Sequence, residues 1–129
     1  MKKYLLLASL FVVNVANARS LTCELKDSRN TTNASRISVN LEQSLQDVYS
    51  SATALDIDDE NYTFDLQIER NGDRLGINAT IYENNFLQDE LRNTGTDISL
   101  SKTTPNQSVL SDEVYQEDRL VLNLNCTVN

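Results

Sequence analysis

Histidine and tryptophan are absent from this 129-residue chain, proline occurs once, glycine three times and cysteine twice. Without histidine there is no usual general base near neutral pH, no imidazole metal ligand and no Ser-His-Asp or Cys-His arrangement. Most familiar hydrolase mechanisms are closed, and no cofactor motif is present. Catalysis would fall to carboxylates alone; with 19 acids some pair meets a hydrolytic spacing by chance, so that signal is uninformative. Positive charge is scarce too, 11 Lys and Arg leaving a net charge of −8. An acidic chain without a Lys/Arg cluster repels phosphate backbones and anionic headgroups, which argues against nucleic acid and membrane surfaces as partners.

What is there begins with an address. Lys2 and Lys3 precede a largely apolar run from Tyr4 to Val15, and Ala16-Asn17-Ala18 offers small residues where a signal peptidase reads. Cleavage is expected after Ala18, leaving a single β domain over residues 19–129. The apolar run is shorter than the roughly 20 residues of a spanning helix, and no later run approaches that length, so the mature chain is expected to be soluble and not inserted in a membrane. The lysine-paired start fits a bacterial leader, hence a periplasmic or secreted protein. Removing two Lys and no acid leaves 9 positive and 19 negative charges, a net of −10.

In an oxidising compartment two cysteines read as one disulfide rather than a metal or redox pair, since no CxxC spacing is present. Cys23 and Cys126 would tie the first strand to the last.

Period-two alternation dominates the remainder. Leu21, Cys23 and Leu25 mark a first strand, residues 28–34 read as a polar loop, and Ile37, Val39 and Leu41 mark a second strand. Leu41, Leu45, Val48 and Tyr49 have helical spacing, so a short helix or a turn-rich connection covers 41–50 and, if helical, caps the apolar face. A hairpin spans 61–83, with Tyr62, Phe64, Leu66 and Ile68 facing Ile81, Ala79, Ile77 and Leu75 about a type I′ turn at Asn71-Gly72. Its outer face would pair Glu69 with Arg74. Turns at 84–85 and 93–96, a short irregular strand between them, a polar loop over 101–108 and strands at 109–115 and 119–128 complete the chain. Seven or eight short strands predict an all-β fold, a small antiparallel sandwich or barrel.

The densest carboxylate cluster is Asp56-Ile57-Asp58-Asp59-Glu60, read as a solvated loop; it lacks the Gly and the distant Glu of an EF-hand calcium loop. Asp112-Glu113 and Glu117-Asp118 flank Tyr115 and form a second cluster. Six Asn-x-Ser/Thr triplets, beginning at Asn30, Asn33, Asn61, Asn78, Asn106 and Asn125, are expected from a mature composition of 13 Asn and 22 Ser or Thr. No metal or cofactor is implied, and few aromatics remain for sugar stacking. The expected function is a non-catalytic protein-binding module whose acidic surface meets a basic protein, for instance as an inhibitor of a basic hydrolase. The alternatives are an envelope assembly component pairing through an edge strand and a carboxylate-only hydrolase. These features recur in unrelated exported β domains and carry no family assignment.

Overall fold

The computed structural model describes residues 19–41, 48–83, 90–116 and 120–129. Eight strands follow one another: β1 (Ser20–Asp27), β2 (Asn30–Asn40), β3 (Tyr49–Ile57), β4 (Glu60–Asn71), β5 (Arg74–Glu83), β6 (Glu90–Ser99), β7 (Gln107–Gln116) and β8 (Leu120–Val128). One 3₁₀ turn, Leu100–Lys102, lies between β6 and β7. The strands form two antiparallel four-stranded sheets ordered β2-β1-β8-β7 and β3-β4-β5-β6. The all-β expectation holds, and the architecture is a sandwich.

Among the described residues every ladder joins strands consecutive in sequence except β1–β8. The neighbour order is therefore a ring, opened at two seams, β2/β3 and β6/β7, where no backbone ladder forms among the described residues. Side chains bridge the seams instead. Asn33 Nδ2 donates to the Asp56 carbonyl at 2.9 Å and Ser35 Oγ to the Ala54 carbonyl, while Arg92 Nε meets Asp112 Oδ2 at 2.6 Å. Polar groups on the inward parity of edge strands occupy positions that would otherwise invite another chain to pair.

Alternation selects the core. The two inner strands of each sheet bury their apolar sets: Leu21, Cys23 and Leu25 of β1, Leu122, Leu124, Cys126 and Val128 of β8, Tyr62 to Ile68 of β4, and Leu75 to Ile81 of β5. The Cys23–Cys126 disulfide lies within this core, joining directly opposed residues of the first and last strands whose Cα atoms are 4.0 Å apart. The sequence separation it spans is 103 residues.

Several expectations are corrected. The polar stretch 28–34 is no loop: Ser28 and Arg29 alone turn the chain, and Asn30 onward pairs with β1. Residues 42–47 lie outside the described residues, but Tyr49 begins β3 and Val48 is 55% exposed, so neither belongs to a helix capping the apolar face. Strand β3 itself has no clear period-two signature, because Ser51, Ala52, Thr53 and Ala54 differ too little in polarity. The segment 93–96 runs straight through β6, and β7 begins at Gln107, inside the stretch read as a polar loop. The proposed turn at 84–85 and the residues that follow it, including Phe86 and Leu87, are outside the described residues.

The central hairpin exists with a register two residues away from the one expected. Ile68 pairs Ile77, Leu66 pairs Ala79 and Phe64 pairs Ile81. The turn residues are Gly72 and Asp73, and only Gly72 has a left-handed φ, +61°. That pattern suits a type II′ turn, which needs glycine at its first central position and spares Asn71 the positive φ that type I′ would impose. Glu69 thus faces Gly76, and Arg74 forms its ion pair with Asp97 of β6 at 2.7 Å.

Candidate functional site

The up-and-down path gathers alternate connections at one end of the sandwich. The β1–β2 and β3–β4 turns lie there, with the end of β5, paired at Glu83 to Tyr62, and the start of β6, paired at Glu90 to Tyr82. Ser28 N donates to the Val121 carbonyl at 3.0 Å, which brings the start of β8 to the same end. The Asp56 to Glu60 cluster is therefore a tight hairpin tip. Asp56 and Ile57 close β3, Glu60 opens β4, and Asp58 and Asp59 are the two turn residues, with φ of 51° and 67°. Two left-handed residues define a type I′ turn, and aspartate tolerates that conformation better than most side chains. Asn61 Nδ2 donates to Asp56 Oδ1 at 2.6 Å.

Arg29 is the hub of this end. Its guanidinium bonds Asp27 of its own hairpin and, at 2.8 Å, Asp58 of the opposite sheet, clasping the two turns together. Asp27 is a nearly buried carboxylate. Burial pushes its carboxyl up, but the side-chain and backbone bonds from Arg29 outweigh that and hold it below the usual range. Among the described residues no group of three or more His, Cys, Asp or Glu is placed to hold a metal ion.

The second acidic cluster is divided. Glu117 and Asp118 lie outside the described residues. Asp112 takes two bonds from Arg92 across the β6/β7 seam, and Glu113 accepts the hydroxyl of Tyr115 at 2.8 Å, which pushes that phenol up. Tyr115 is 71% exposed, an outward aromatic that the sequence placed on a strand but not on a face.

The Asp112 carboxyl is held below its usual range, first by the Arg92 bond, with burial opposing and the Glu113 amide assisting. A folded-state value lower than the unfolded one stabilises the fold above the ordinary aspartate pKa of about 3.9 and loses that contribution as pH falls through the folded value. Urea unfolding from pH 6 down to pH 2 is expected to show a smaller acid loss for Asp112→Asn than for the parent. Identical pH slopes would remove the seam from the acid response.

Lys26 is bound to Glu24, Arg29 to Asp27 and Asp58, and Arg92 to Asp112. The described cations nearest this end are thus all engaged. Asp59, Glu60 and Glu90 are exposed and have no ion pair or side-chain hydrogen bond among the described residues. The convergence of chain-distant acids was missed in the sequence, because it follows from the ring order and not from spacing. Comparison of the chain with protein-family models, with curated proteins and with solved structures finds no match.

Proposed function

We propose that the chain is exported, loses residues 1–18 and serves as a non-catalytic binding module that engages a basic protein through its acidic end. The observation that carries this reading is the surplus of exposed, unengaged carboxylates at Asp59, Glu60 and Glu90, where the nearby described cations are already in ion pairs. A field of one sign at one end of a rigid domain steers oppositely charged partners into encounter. Two further facts accord with export. The chain carries a disulfide, and among the described residues no helix is long and apolar enough to cross a membrane.

The test is capture of a small basic protein by the immobilised domain. Retention is expected at low salt and loss above roughly 0.3 M, where the screening length falls to a few ångströms. Reversing both tip charges, Asp59→Lys with Glu60→Lys, is expected to weaken low-salt capture about tenfold by removing the steering field. Failure to retain any cationic protein at low salt would sink the reading, as would undiminished capture by the reversed variant.

Assembly through an exposed edge strand is the second reading. It has less support, since the four edge strands face one another across the two seams and Asn33 and Ser35 already bond carbonyls of β3.

A further inference from the structure

Away from the acidic end, the outward face of the β3-β4-β5-β6 sheet carries a groove of about 340 Å³. It is bordered by Val48, by Gln67 and Glu69 of β4 and by Asn78 of β5, and Gly76 and Gly95 line its floor. Two of the chain's three glycines therefore sit on neighbouring strands of one face. Neither has a left-handed φ, unlike Gly72. A glycine inside a strand weakens it and marks a bulge, a bend, or a place where a ligand or another chain comes close. Gly95 has an internal reason, since a Cβ there would stand 3.1 Å from the Ile77 carbonyl oxygen and 3.3 Å from Asn78 Nδ2. Gly76 has no such reason. A Cβ there would meet only the Glu69 carbonyl oxygen at an ordinary 3.7 Å, and the irregularity in the β5–β6 ladder lies further on, between Ile81 and Tyr82.

The register places Gly76 between two carboxylates, Glu69 on β4 and Asp97 on β6. Each neighbouring strand is about 4.8 Å away, so the missing side chain leaves a slot with an acid on either flank. Asp97 is held by Arg74 at 2.7 Å. Glu69 is exposed and has no partner among the described residues. An anionic occupant is repelled here and a cationic one is favoured. The exposed Val48 and the bare glycine backbone suit an aliphatic stem of the kind that lysine and arginine lay along apolar surface.

We propose that this groove holds one lysine or arginine side chain of a basic protein partner, its stem over Gly76 and Gly95 and its cation at Glu69. The inference rests on the reading of the partner as basic, but the groove lies toward the Gly72-Asp73 turn, at the opposite end from the acidic tips, so the two can be tested apart.

Three glycines give three isolated amide resonances. Titrating the ¹⁵N-labelled protein with hexa-arginine is expected to move Gly76 and Gly95 saturably while Gly72 stays, and neutral hexacitrulline is expected to leave all three in place. Gly76→Val, which fills the slot without altering charge, should weaken hexa-arginine binding about tenfold. Glu69→Gln, on an exposed position that the fold does not need, should weaken it about threefold. Shifts confined to the Asp58-Asp59 turn would overturn the groove and leave the acidic end standing. No shift anywhere would overturn both readings, and equal movement with hexacitrulline would overturn the cationic assignment.

Discussion

Replacing Cys23 and Cys126 together by alanine is expected to cost the fold about 5 kcal/mol, the chain-entropy value for cross-linking a loop of roughly 100 residues. The bridge spans 103 residues and lies wholly within the core. It constrains the unfolded chain far more than a local clip would. For a domain of this size the loss corresponds to a fall in Tm on the order of 20 °C. Thermal unfolding of the double variant, followed by circular dichroism, measures it. The double substitution is preferred to a single one because one remaining cysteine leaves a reactive thiol and an unrelated route to aggregation. A midpoint within a few degrees of the parent would show that the ladder between the end strands holds without its covalent tie.

The second large effect is expected at Phe64. It is fully buried, pairs with Ile81 across the β4–β5 ladder and with Thr53 across the β3–β4 ladder, and is among the largest side chains in the core. Phe64→Ala removes apolar area and leaves a void that rigid strands on both sides cannot collapse to fill, at a cost of about 3 to 5 kcal/mol. Phe64→Leu keeps most of the volume and should cost less than half as much. Urea midpoints with unchanged slopes are the readout. Near-equal midpoints for the two variants would mean that the void is relieved by repacking.

The inner strands were legible because both demands on them agree: one face is buried, the other is wet, and period two follows. The edge strands were not. β6 has only Leu91 and Ile98 as large apolar side chains, Ile98 sharing the inward parity with Thr94 and Thr96 and Leu91 falling at the irregularity of the ladder, so Asn93 to Thr96 resembles a turn in composition while running through the sheet. The first half of β2 fails for the same reason, its inward positions being the polar Asn33 and Ser35 that bridge a seam. The hairpin register failed in a different way. A slip of one residue reverses every side chain and is betrayed by the pattern, whereas a slip of two keeps all apolar groups inward and is invisible to it. Only the turn decides, and there a single positive φ at Gly72 is easier to satisfy than two at Asn71 and Gly72. Of the candidate site, the carboxylates were visible and their company was not. Nothing in the spacing of Asp27, Arg29 and Asp58 announces that one guanidinium joins them.

The ring order also governs how the fold can be reached. Each of the six ladders among the described residues joins strands adjacent in sequence save β1–β8, so five can grow as local hairpins whose loops close cheaply. One search across the whole chain remains, the meeting of the first strand with the last. Once Cys23 and Cys126 are joined, that search need not be repeated. An oxidised molecule that unfolds returns with its hardest contact already made and its register marked at one rung, Cys23 opposite Cys126. The disulfide is thus a memory of topology as well as a source of stability, and it belongs to the kinetics of refolding as much as to the native state.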